Sequence, residues 1–225
     1  MAYVRAIQGP GFSVIYTDSQ GNKFLFSGGS WAWRNHNPGN IRSGHITKGQ
    51  RQIGIVFDQR REKLAVFSNK QKGYEALEAL MKTERYQNKT LDEAIATYAP
   101  PKENNTKAYQ NQVRERLKLP GTFKVKDLTS DQFQVLLKEI EKIEGWEEGT
   151  IEPLLKIEAV ERNSHGVIQG YYCHSTWYSK KAATELVLQG KLDALSCHTA
   201  KGKSYLRASS GNPPLHALPN KKREK

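Results

Sequence analysis

Between Asn69 and Gly145 the sequence is cut into four amphipathic runs by its own start and stop signals, and a fold for this chain must house them as helices. Asn69 can cap a run through about Arg85, in which Tyr74, Leu77, Leu80 and Met81 fall on one face at helical spacing. Thr90-Leu-Asp-Glu93 is a capping box, because a Thr oxygen can bond the third helical amide while the Glu carboxylate returns to the cap. That short helix runs through Tyr98 and stops at Pro100-Pro101. The third run starts at Asn104-Asn105-Thr106, keeps Tyr109, Val113 and Leu117 four apart and ends at Pro120-Gly121. Thr129-Ser-Asp-Gln132 is a second capping box, and Phe133, Leu136, Leu137, Ile140 and Ile143 give the last helix an apolar stripe up to Gly145.

Strands are expected on either side. Phe12, Val14 and Tyr16, then Phe24 and Phe26, alternate around the turn Asp18-Ser-Gln-Gly21. Gln52–Phe57 and Lys63–Phe67 form a second hairpin with the charged tip Asp58-Gln-Arg-Arg-Glu62. From about Leu154 the texture changes to a ββαββ module: strand-like Leu155–Val160 and Gly166–Tyr172, a helix capped by Ser179, then Ala194–Cys197 and Ser204–Arg207. The expected class is α+β: an α-rich domain with β-hairpins over residues 1–150, the small α+β module over 151–219, and a disordered basic tail over 220–225.

One stretch is not core composition. Trp31-Ala-Trp33-Arg34-Asn35-His36-Asn37-Pro38-Gly39-Asn40-Ile41-Arg42 holds two indoles, two guanidinium groups and three carboxamides around a Pro-Gly break. Asn-Pro and Pro-Gly mark turns, and Asn tolerates left-handed backbone, so a rigid polar loop with aromatic anchors is expected. Indole faces cover sugar C–H surfaces while Arg and Asn forks take hydroxyls and N-acetyl carbonyls, the mixture that lines many ligand sites.

Composition narrows the partners without choosing among them. Lys and Arg total 35 against 23 Asp and Glu, a formal charge of +12 and a sequence pI near 9.6, which concentrates polyanions such as anionic wall polymers. The basic residues are spread along the chain rather than clustered with aromatics, which argues against nucleic acid. No run of eighteen apolar residues is present to span a membrane. Cys173-His174 and Cys197-His198 lack zinc-motif spacing, and neighbours on a strand point to opposite faces, so no metal and no cofactor are expected.

The order of signals resembles the glucosaminidase and lytic-transglycosylase branch of the lysozyme-like peptidoglycan hydrolases: an Asn-rich loop, a hairpin ending in Ala65-Val-Phe67-Ser68, then Gly73-Tyr74-Glu-Ala-Leu77, Tyr98-Ala99 and Tyr109. It is closer still to phage-derived and toxin-associated proteins with the words RNxNPGNIR, YAPPxEN and IEGW, present here as Arg34–Arg42, Tyr98–Asn104 and Ile143–Trp146. The similarity covers about residues 28 to 149, and the C-terminal module resembles a small bacterial domain of unknown function. The resemblance implies a lysozyme-like domain that cleaves the N-acetyl sugar strand of peptidoglycan, as a phage lysin or a secreted antibacterial effector. Residues 1–10 lack the apolar region of a secretory signal. Synthesis in the bacterial cytoplasm, delivery by a machine such as type VI secretion, action in a target cell's periplasm, a secretion-system carrier and an immunity protein are the matching expectations.

Cleaving a glycosidic bond needs a carboxylic acid to protonate the leaving oxygen. Glucosaminidases carry theirs upstream of the Asn-rich loop, where this chain has only Asp18, in a turn sequence. Glu103, in a Pro-stiffened loop, is the first candidate acid, followed by Asp58 and Glu62 on the hairpin tip. Glu75 and Glu144 read as surface residues of amphipathic helices. Trp33, Arg34, Asn35, Asn37, Asn40, Arg42, Tyr98, Asn104 and Tyr109 are the candidate sugar-binding residues. Two other readings stand beside this one: a non-catalytic wall or polyanion binder, and a bifunctional chain whose module cleaves peptide with Cys173 or Cys197 as thiol and His174, His198 or His216 as base.

Overall fold

The computed structural model describes residues 3–102, 105–200, 202 and 204–223. In chain order the elements are β1 (Tyr3–Gln8), β2 (Val14–Asp18), β3 (Lys23–Ser27), α1 (Trp31–Arg34), α2 (His45–Gly49), β4 (Gly54–Phe57), β5 (Lys63–Val66), α3 (Lys70–Met81), α4 (Glu84–Gln87), α5 (Leu91–Tyr98), α6 (Thr106–Leu117), α7 (Ser130–Glu144), β6 (Thr150–Pro153), β7 (Ala159–Arg162), β8 (Ile168–Cys173), β9 (Thr176–Ser179), α8 (Lys180–Leu188), β10 (Ala194–His198) and β11 (Ser204–Ala208). The class is α+β.

The chain divides into two compact units: Gly28–Gly149, and Tyr3–Ser27 together with the chain from Thr150 onward. The expected 1–150 domain is therefore cut at Ser27. The cause is β pairing: β3 sits between β2 and β6 in a sheet of order β1-β2-β3-β6, with Phe26 opposite Ile151.

In the Gly28–Gly149 unit the caps act as their sequences imply. Thr90 and Glu93 exchange hydrogen bonds at the start of α5, as do Thr129 and Gln132 at the start of α7, and Asn69 and Asn105 cap α3 and α6. The helix expected through Arg85 breaks after Met81, where the Thr83 hydroxyl bonds the Leu80 carbonyl and α4 restarts the turn. Leu77, Met81, Ile95, Val113, Leu136 and Ile140 meet in the core, together with Ala65 and Phe67 from the strand side. The β4–β5 hairpin pairs Gly54 with Val66 through Phe57 with Lys63, and Arg42 forms a bridge beside Leu64 that ties the Asn-rich segment to its edge.

In the other unit, β7-β8-β9 form one sheet and β10-β11 a second, packed with α8 around Val160, Tyr171, Ala183, Leu192 and Leu206. The module carries one strand more than the expected ββαββ, because Thr176–Ser179 folds back on β8 across a turn in which His174 and Ser175 take positive φ. The tail is not disordered as far as Arg223. Asn220 bridges Val160, Lys221 donates its amide to the Val160 carbonyl, and Lys221 and Arg223 lie over the rings of Tyr172 and Trp177 at 4.8 and 4.4 Å. Backbone pairing and cation–π attraction hold it.

Candidate functional site

A cleft of about 500 Å³ opens in the Gly28–Gly149 unit. Its wall is built from Trp31, the Gly39–Arg42 segment, Asp58, Arg60 and Glu62 of the hairpin tip, Arg85 and Tyr86 of α4, Tyr98 at the end of α5 and Pro100 beyond it, and Glu144 at the end of α7.

The Asn-rich segment is folded from within. Ser30 caps α1 by accepting from the Trp33 amide. The Arg34 guanidinium bonds the carbonyls of Gly28 and Gly29 and stacks 4.5 Å from the Trp31 ring, leaving Trp31 as the cleft's indole wall. Asn37, fully buried, donates to the carbonyls of Ile41 and Ala65 at 2.9 Å each and accepts from the Ile41 amide at 3.0 Å. Those bonds fix the turn that presents Gly39 and Asn40. Gly39 has no room for a side chain: a Cβ there would meet the Tyr98 hydroxyl at 2.5 Å and Leu77 at 2.8 Å. The closeness lets the Tyr98 hydroxyl donate to the Gly39 carbonyl. Asn40 then takes a left-handed backbone (φ 45°) and donates its Nδ2 to Glu144 Oε2 at 3.1 Å.

Glu144 is the carboxylate that sequence reasoning placed on a surface. It is half-buried, and burial raises its pKa against the smaller opposing pull of the Asn40 hydrogen bond. Tyr98 and Tyr109 stand near enough for its charge to push their own pKa values further up, beyond the rise burial imposes. A carboxyl group in such surroundings keeps its proton to higher pH than one in water, which is what a general acid requires. The signal was present: Glu144 follows Leu137 by seven and Ile140 by four, so it continues the apolar stripe of α7 rather than its solvent face.

Across the cleft the carboxylates have other duties. Asp58 Oδ1 accepts from the amides of Arg60 and Glu62, both at 2.8 Å, and so builds the hairpin turn. Glu62 pairs with Arg42 at 3.4 Å, both side chains substantially exposed.

Of the sugar-binding candidates, Asn40, Arg42 and Tyr98 line the cleft. Trp33, Arg34, Asn35, Asn37 and Tyr109 are buried instead. Glu103 and Asn104 lie outside the described residues. Glu75 pairs with Lys72 on the surface of α3, and Asp18 closes the β2–β3 turn by accepting from Gln20 and Asn22. In the other unit Cys173 is buried and its thiol is pushed up to about 12 by burial, with Glu158 adding to the rise, which disfavours the thiolate. Cys197 is half-buried on β10. No family model and no curated protein matches the chain.

Proposed function

We propose that the Gly28–Gly149 unit is a lysozyme-like enzyme that cleaves the N-acetyl sugar strand of peptidoglycan, with Glu144 as its acid. The observation that carries this reading is a burial-raised carboxyl group opening on a cleft beside an indole, two tyrosines and three arginines. Trp31 offers a face for a sugar ring, while Arg42, Arg60 and Arg85 suit a substrate that carries carboxylates.

The duties of Asp58 and Glu62 favour a lytic transglycosylase over a hydrolase. Hydrolysis with two carboxylates needs one of them free to act as nucleophile or to activate water. With Glu144 alone, the neutral acid protonates the leaving glycosidic oxygen as the C–O bond breaks. The resulting carboxylate then takes the proton of the sugar's own 6-hydroxyl as that oxygen closes on the anomeric carbon. Glu144 ends protonated, no water is consumed, and the product is a 1,6-anhydro sugar. A role as an antibacterial effector or phage lysin is part of the same proposal and rests on the three sequence words.

Digesting purified sacculi and weighing the released fragments tests the reading. Anhydro-ended muropeptides, 18 Da lighter than reducing-ended ones by the loss of one water, are the expected product. Reducing ends would indicate hydrolysis, and no soluble fragment at any pH would remove the enzymatic claim.

A further inference from the structure

We propose that Asn40 is a positioning residue that decides which oxygen of the Glu144 carboxyl carries the acidic proton. This rests on the reading of Glu144 as the acid and adds to it the source of that acid's geometry. Asn40 Nδ2 donates to Oε2 at 3.1 Å. In a neutral carboxyl the carbonyl oxygen is the stronger acceptor, so the oxygen that receives the Asn40 N–H is favoured as the carbonyl and the proton is directed to Oε1.

The amide is poised for this task. Its other end, Oδ1, is buried and meets no donor among the described residues, so nothing on that side competes for the orientation of the group. Turning the amide over would set Oδ1 against Oε2, lone pair against lone pair, each time Glu144 ionises. The backbone contributes as well. Asn40 reaches α7 from a left-handed conformation that Asn tolerates and most residues resist. Its neighbour Gly39 is locked by the Tyr98 hydroxyl, so the amide is delivered by a segment that is itself tied down.

Glu144 has as its other titratable neighbours Tyr98 from α5 and Tyr109 from α6, both kept neutral by burial. Arg42, Asp58, Arg60, Glu62 and Arg85 line the same cleft. Asn40 bonds the carboxylate oxygen itself, and its bond favours the charged form.

The test uses the full chain and two variants suited to a left-handed position. Asn40→Gly removes the amide with no backbone strain, and Asn40→Asp replaces the donor by a second carboxylate. Cleavage of soluble glycan strands, prepared from sacculi with an amidase, is followed against pH. With Asn40→Gly, kcat falls roughly 10- to 100-fold, the weight of one hydrogen bond to a charged group, while KM holds and the alkaline limb moves to higher pH. With Asn40→Asp the limb moves further in the same direction, since like charge disfavours ionisation. A purely structural loss would lower the whole profile without moving its limb. If wild type cleaves, Glu144→Gln does not, and the limb of Asn40→Gly stays in place, the proposal for Asn40 is overturned and the acid stands. If wild type cleaves nothing, the enzymatic reading fails, and the carboxyl ¹³C titration of Glu144 judges Asn40 by itself. A midpoint that rises in Asn40→Gly supports the positioning role, and an unmoved midpoint overturns it.

Discussion

Asn37 and Asn40 stand three residues apart in one turn and do opposite work. Asn37 spends its amide on three backbone partners deep in the unit, while Asn40 spends its own on the carboxylate that faces the cleft. Composition alone offers both as sugar ligands, because an amide looks the same in sequence whether backbone or substrate is to receive it. Asn37→Ala strands buried backbone groups, so unfolding in urea should show a loss of about 3 kcal/mol, the scale of two or three orphaned partners. Glu144 gives a prediction of the other sign. The folded protein holds this proton at a pH where the unfolded chain has released it, because burial raises the folded pKa. The stabilisation is complete below the unfolded carboxylate pKa and is lost as pH rises through the raised value. Glu144→Gln cannot ionise, so thermal melts should find it more stable than wild type at pH 8, with the difference shrinking toward pH 4. Equal melting points at both values would mean that the carboxyl does not carry the burial described.

At the scale of elements, caps were legible and short strands were not. Asn69, Thr90, Asn105 and Thr129 each announce a helix by side-chain chemistry that acts within one turn, so the signal is local and survives in sequence. β6 is four residues, Thr-Ile-Glu-Pro, and exists because β3 offers it an edge; no periodicity in so short a run could show that partner. β9, also four residues, escapes for the same reason. The single-turn α1 is hidden by its own aromatics, which read as anchors of a loop. α3 holds the clearest element-level test. A Cβ on Gly73 would come within 2.0 Å of the His36 carbonyl and 2.6 Å of Pro38, so the helix packs on the Asn-rich segment through a bare backbone. Alanine is the better helix former by about 1 kcal/mol, yet Gly73→Ala should lower the melting temperature, since a backbone carbonyl cannot step aside. A rise would show that this contact is loose.

For the molecule as a whole, the sequence led to five residues that line the cleft, Asn40, Arg42, Asp58, Glu62 and Tyr98, and away from Glu144. The first five lie in words that look unlike core. Glu144 closes a helix that looks ordinary, and only its register on the apolar stripe separates it from a solvated carboxylate. The +12 charge describes the chain's appetite for polyanions and says nothing about which group protonates a bond. The central claim is that Glu144 is that group. It is tested most directly by the rate at which Glu144→Gln, folded as judged by circular dichroism, solubilises glycan strands beside wild type. The rate should fall about 10²- to 10⁴-fold, the usual contribution of a general acid, and a Glu144→Gln protein that cleaves at the wild-type rate would mean that another group protonates the bond.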